Sequence, residues 1–211
     1  MARAAKKAVS RRPARAAPRR TVHNRQRLRQ GVQQFLEGIG RSRLGREFDR
    51  TVDRVTQVWS DELLSGYAED PNKILTPIPG ARERGWVVAR RIRFYSMCVH
   101  HLLPFFGEAH IAFVPGRSLV GLSKLARLVD CFSRRLQIQE VLTRQLLDTL
   151  QKQLKPKGAA VLIEAEHLCM AARGARTQGS SILTAAFSGV LDRDPGRRDA
   201  VRRLIGRGGR A

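Results

Sequence analysis

Trp86-Val-Val-Ala-Arg-Arg-Ile-Arg-Phe-Tyr-Ser-Met-Cys-Val-His-His101 is the stretch whose reading decides the fold. Trp86, Val88, Ile92 and Phe94 alternate loosely with polar neighbours, a period near two that predicts a strand with one face buried. The strand runs into Cys98-Val-His-His101. After a turn containing Pro104, residues 107–114 read as its antiparallel partner. Far downstream, residues 159–166 form an apolar strand that leads directly into His167-Leu-Cys169. Two compact clusters of thiol and imidazole therefore each follow a predicted strand.

Around these strands the period changes to that of a helix. Val32, Phe35, Leu36 and Ile39 have helical spacing, closed by Gly38 and Gly40. A second helix is predicted over about 46–64, with Phe48, Val52, Val55, Val58 and Trp59 on one face. Residues 70–80, with three prolines and an Asn, read as a loop. Gly116 and Arg117 make a turn, and a helix over 122–135 turns Leu122, Leu125, Leu128, Val129 and Phe132 inward. The next helix, 139–154, carries Leu142, Leu146, Leu147 and Leu150 and is stopped by Pro156 and Gly158. Residues 181–190 predict a last strand. Two helices, two strands, two helices and two strands make an α+β layout with an antiparallel sheet.

The 211 residues suffice for one substantial domain with appendages, and 42% hydrophobic content supports a core. No run approaches the roughly 18 apolar residues needed to span a bilayer, and no apolar stretch behind the N-terminus resembles a secretory signal. Three widely spaced cysteines make no disulfide framework, so a reduced, cytoplasmic setting is expected. The net charge of +22 is concentrated at the ends; residues 1–30 hold eleven Arg or Lys and no acid. Residues 1–27 bury too little to fold and read as a basic disordered tail, either solubilising, targeting or making non-specific nucleic-acid contacts. The remaining expected divisions are a helical region (28–78), a catalytic domain (79–205) and a basic C-terminal tail (206–211).

The two clusters carry the chemistry. Cys98 and His101 form a C-x2-H pair that can grip one metal from a tight turn, and Cys169 can supply a third ligand. Three protein ligands leave a tetrahedral zinc ion with an open position, the arrangement of catalytic rather than structural sites. His100 and His167 remain for proton transfer, a role suited to imidazole because it titrates near neutrality. Cys131, on the apolar face of its helix, reads as a small buried hydrophobe.

Four blocks together resemble one family: Ser96-Met-Cys-Val-His-His-Leu-Leu-Pro-Phe105, Gly121-Leu-Ser-Lys-Leu-Ala-Arg127, Gln137-Ile-Gln-Glu140 and His167-Leu-Cys-Met-Ala-Ala-Arg-Gly174. In order and spacing they are similar to GTP cyclohydrolase I over about residues 30–205. The resemblance implies the tunnelling fold: a four-stranded antiparallel sheet with a helix pair plus N-terminal helices, assembled as a decamer of two pentamers. It implies a Zn2+ cofactor held by Cys98, His101 and Cys169, with His100 and His167 as acid/base groups. The substrate implied is GTP. Its imidazole ring is opened with loss of formate, and rearrangement gives 7,8-dihydroneopterin triphosphate, the first step toward pterins and folate. Glu140 matches the carboxylate that accepts from the guanine N1 and 2-amino groups, a pairing that adenine cannot offer. Gln139 matches a neighbour that helps hold the base. Ser123, Lys124, Arg127 and Arg173 match the ribose and triphosphate contacts, for which several fixed cations are required.

Two departures from the family pattern stand out. Val99 occupies the place of a usual Glu, removing a possible hydrogen-bond partner of the site. Thr51 and Arg54 survive from a Thr-Pro-x-Arg-like segment, but Val52 replaces the proline. Arg54 is retained as a substrate contact. These changes leave two alternatives open: a divergent enzyme acting on another purine nucleotide or stopping at the formamide, and a non-catalytic zinc-containing oligomer that binds nucleotides or polyanions.

Overall fold

The computed structural model describes residues 24–40, 50–79 and 85–206. Most of the expected basic tail, the start of the expected second helix (46–49) and residues 207–211 lie outside the described residues.

A five-stranded sheet organises the chain, with strands β2 (Val87–Cys98), β3 (Pro104–Val114), β5 (Leu136–Gln137), β6 (Gly158–His167) and β7 (Ile182–Gly189) in the order β5-β2-β3-β6-β7. Each neighbouring pair among the four long strands is antiparallel, as the sequence led one to expect. The fifth, β5, adds a two-residue parallel edge beside Met97 and Cys98. Two-residue alternation gives the sheet two apolar faces. Phe94, Phe105, Ala109, Ile111, Phe113, Val161 and Ile163 face one core. There they meet leucines of the helix pair α3 (Leu122–Ser133) and α4 (Gln139–Leu154). Leu125, Leu128, Leu142, Leu146 and Leu150 are fully buried, and each such side chain contributes about 1.5–3 kcal/mol of apolar burial. The opposite face is covered in part by Leu191 of α6 (Val190–Arg193) and Val201 of α7 (Pro195–Gly206), packed with Ala112, Ala160, Leu162, Trp86 and Phe187.

Several elements depart from their sequence-based bounds. Helix α1 spans Arg25–Gly38, but α2 is only Thr51–Val58 and opens into a wide turn, Trp59–Leu63. The expected loop at 70–80 contains a one-turn helix, Pro71–Lys73, and a short strand β1 (Pro77–Pro79) paired with β4 (Ser118–Val120). Strand β3 begins at Pro104 rather than at 107, because its first residues pair with the end of β2. Leu122 does not face inward; it is 69% exposed, since it starts α3 before the helix reaches the sheet. Helix α7 was not anticipated. Cys131 is buried, as expected.

Gly107 sits where β3 passes closest to β6: a Cβ there would meet the backbone of Glu164 and Ala165. At the other end of the hairpin, the β2 register shifts between Ala89 and Ile92, and Arg91 takes a left-handed φ of 57°; Trp86 and Val88 therefore pack on the opposite face from Ile92 and Phe94, not on the one shared face expected from their spacing. The Arg91 amide donates to Nδ1 of the buried His110 at 3.3 Å.

Candidate metal centre

The two clusters meet at one end of the sheet because of strand order. Strands β2 and β6 flank β3 and both finish at its beginning; Phe105 pairs with Ser96 on one side and His167 on the other. Cys98 is the last residue of β2. Its amide donates to Leu103 O and its carbonyl accepts from Leu102 N, closing a tight turn that displays His100 and His101 at the surface. Cys169 lies in α5 (Leu168–Ala171), a single helical turn following β6. The sulfurs of Cys98 and Cys169 and a ring nitrogen of His101 all lie within 4.8 Å of one another, with Cys98 buried and His101 exposed. Cys98 Sγ is 3.9 Å from Nδ1 of both His101 and His100.

Burial pushes the Cys169 thiol above its usual range, and nearby Cys98 adds to the effect, while Arg173 opposes it. His167 lies over Phe105, ring centroids 4.6 Å apart and planes within 3°. Its Nδ1 is 4.0 Å from Cys169 Sγ, and its Nε2 is 2.7 Å from Gln139 Oε1. Burial holds the imidazole below its usual value, with Glu140 pulling the other way.

Strand β5 beside Cys98 delivers the start of α4 to the same end of the sheet. Adjacent helix positions point about 100° apart, so Gln139 turns inward while Glu140 stays exposed. Gln139 is 2% exposed; the two hydrogens of its amide nitrogen are shared among Ile163 O, Ile182 O and Thr184 Oγ1, at 3.1, 2.8 and 3.1 Å. The structure therefore brings together Cys98, His100, His101, His167, Cys169 and Gln139, with Glu140 exposed next to Gln139 and Arg173 exposed just after α5. The other expected residues are not joined to the cluster by any interaction found among the described residues. Ser123, Lys124 and Arg127 lie at the start of α3, whose opposite end leads into β5, and Arg54 is exposed on α2. Phe105, Thr143 and Thr184 were not singled out as site residues by the sequence reading. Phe105 closed one of the four motif blocks, which was the available signal.

A family model described as GTP cyclohydrolase I matches residues 28–206. The chain belongs to the GTP cyclohydrolase I family. A relative named GTP cyclohydrolase 1 from Wolinella succinogenes is 46% identical over 169 residues, covering 79% of this chain and 89% of that one. Another of that name, from Aquifex aeolicus, is 40% identical over 183 residues, covering 86% and 97%. A solved structure of the apo archaeosine synthase QueF-Like aligns with a TM-score of 0.44 at 18% identity, over 51% of this chain and 97% of that one. The α+β layout expected of the tunnelling fold, an antiparallel sheet backed by a helix pair, is the one found in this member of the GTP cyclohydrolase I family. Among the described residues no helix is long and apolar enough to cross a membrane.

Proposed function

We propose that this chain is a zinc-dependent GTP cyclohydrolase I, acting in the cytoplasm on the first step toward pterins and folate. The observation that carries the reading is the convergence of Cys98, His101 and Cys169 beside two further imidazoles, in a chain belonging to this family. Two thiolates and one imidazole suit zinc. Tetrahedral Zn–S and Zn–N bonds place ligand atoms about 3.5–3.8 Å apart, and the 3.9 Å between Cys98 Sγ and His101 Nδ1 is already close to that. Bound there, zinc would supply Lewis acidity and make a water nucleophilic near neutral pH.

The chain's own residues do the rest. Purine C8 is a poor electrophile until a ring nitrogen is protonated, and His100, next to a ligand and exposed, would donate to N7. His167, held on Phe105, is the second acid/base group, for the water that attacks and for the leaving amine. Opening the C8–N9 bond and then cleaving the formamide consumes two waters and frees formate. Rearrangement of the ribose and closure of the new ring return one water. Glu140 fits the guanine N1–H and 2-amino donors, and Arg173 the triphosphate.

Ser123, Lys124, Arg127 and Arg54 would then come from a neighbouring copy, in the decamer of two pentamers expected of the family. Exposed apolar side chains on the sheet and the α4 start, Tyr95, Leu183, Ile138 and Val141, support such an assembly. The basic N-terminal segment would add salt-dependent polyanion contacts outside the site.

The test is incubation of zinc-loaded protein with GTP, reading formate and, after oxidation and dephosphorylation, fluorescent neopterin. Zinc-loaded, assembled protein that releases neither overturns the proposal. Val99, 41% exposed between Cys98 and His100, favours one second reading, an enzyme that stops at the formamide. Mass spectrometry of the products separates the two.

A further inference from the structure

The Gln139 side chain is fully committed, and its partners fix which way round the amide lies. Ile163 O at 3.1 Å and Ile182 O at 2.8 Å are main-chain carbonyls, able only to accept. The group facing them is therefore the NH2. Hydroxyl directions agree: Thr143 Oγ1 donates to Gln139 O at 2.8 Å, so Thr184 Oγ1, 2.7 Å away, donates to Thr143 and accepts from the Gln139 amide. A flipped amide would set an oxygen against two carbonyl oxygens. Gln139 Oε1 is thus an acceptor, and at 2.7 Å His167 Nε2 must supply the proton. Phe105 holds the ring face.

We infer that Gln139 is a positioning residue that locks His167 in its Nε2–H tautomer and so presents Nδ1, not Nε2, to the metal centre and the reacting atoms. This differs from the base-holding role expected from the sequence. It gives Gln139 a part in the chemistry through another side chain, as hydrogen-bonded partners of active-site imidazoles commonly play. Thr143 and Thr184 extend the lock into α4 and β7. The inference rests on the proposed function only in its kinetic consequence; the tautomer itself does not depend on it.

The experiment has two arms. Long-range 1H–15N correlation spectra of the zinc-loaded, full-length protein at pH 8, with His167 assigned by its loss in His167→Asn, report which ring nitrogen carries the proton. Protonated Nε2 with bare Nδ1 is expected; protonated Nδ1 overturns the inference, whether or not the protein turns over GTP. In the second arm Gln139→Met keeps bulk and removes the acceptor. The expected results are mixed His167 tautomers and a kcat lowered by about 10–100-fold with KM for GTP little changed. A raised KM with kcat retained would place Gln139 on the substrate and overturn the inference. Should Gln139→Met fail to fold, the spectra of the unaltered protein still decide.

Discussion

Replacing Phe105 separates two things this side chain does at once. It is fully buried in the main core, in edge contact with Phe94 at 6.0 Å, and it is the platform under the His167 ring. Phe105→Leu keeps most of the volume but loses both ring contacts. Two aromatic pairs at about 0.5–1.5 kcal/mol each give about 1–3 kcal/mol of lost stability. Phe105→Ala also leaves a cavity, and truncations of this kind cost about 3–5 kcal/mol. The platform is lost equally in both. Urea unfolding at fixed protein concentration should therefore rank the variants Phe, Leu, Ala, with the midpoint moving and the slope held. Formate release measured well below the unfolding transition, with zinc content matched, should fall to a similar level in Phe105→Leu and Phe105→Ala. Full kcat in Phe105→Leu, at the expected stability loss, would refute the claim that ring stacking orients His167.

Cys169→Ser exchanges a thiolate for a weak ligand, so zinc per chain after dialysis should drop sharply and turnover with it; unchanged zinc would remove Cys169 from the ligand set. His110 tests the buried hairpin. Burial lowers its pKa in the fold, against Glu108 and Glu164, while Arg90 and Arg91 lower it further. The unfolded chain then binds the proton more readily. Its contribution to stability is full above the unfolded value near 6.5 and is lost as pH falls below that toward the folded value. His110→Gln, which can still accept from the Arg91 amide, should flatten the fall in urea midpoint between neutral and mildly acid pH; an unchanged slope would refute it. Val99→Glu restores an acid beside the ligands and should raise zinc affinity or kcat, by about 10–100-fold if the orienting role is recovered. No gain in either would show that Val99 is tolerated without loss.

The sequence reading was most reliable where one pattern had a single physical solution. The leucines of 142–150 can only be one buried helical face, and α4 begins and ends where that face does, with Lys155 in a left-handed turn before Pro156. The alternation from Trp86 to Phe94 likewise reads as a strand, but it cannot reveal the bulge at Arg91, which puts Trp86 and Val88 on the opposite face from Ile92 and Phe94. Leu122 misleads for the same reason that Leu125 does not. Both fit the spacing, but burial depends on where along the helix the sheet begins. At the site, residue types with few uses, Cys98, His101 and Cys169, announced a grouping that the fold does bring together. Gln139 was named only through the family resemblance, and its inward turn onto His167 was not legible. Which of two adjacent polar residues at a helix start turns inward is set by how α4 docks on β6 and β7, and no local signal records that.

The cations expected from α2 and α3 pose the last question, because no interaction found among the described residues joins them to the metal centre. Helix α3 runs from Leu122 to Ser133, and its C-terminal end is the one that feeds β5 beside Cys98. Ser123 lies ten residues back, about 15 Å along the axis at 1.5 Å per residue. Loop motion cannot close that gap, since Leu125, Leu128 and Val129 pin the helix in the core. If the substrate is held by these residues, a second copy must supply them, and complementation tests it. Cys169→Ser and Arg127→Ala, each inactive alone, are dissociated, mixed in equal amounts and reassembled. Where each site draws Cys169 from one chain and Arg127 from its neighbour, random mixing leaves about a quarter of sites with both native residues. Recovery toward that level supports shared sites. Mixed oligomers, verified by mass, that stay inactive would confine the site to one chain and remove Ser123, Lys124 and Arg127 from it.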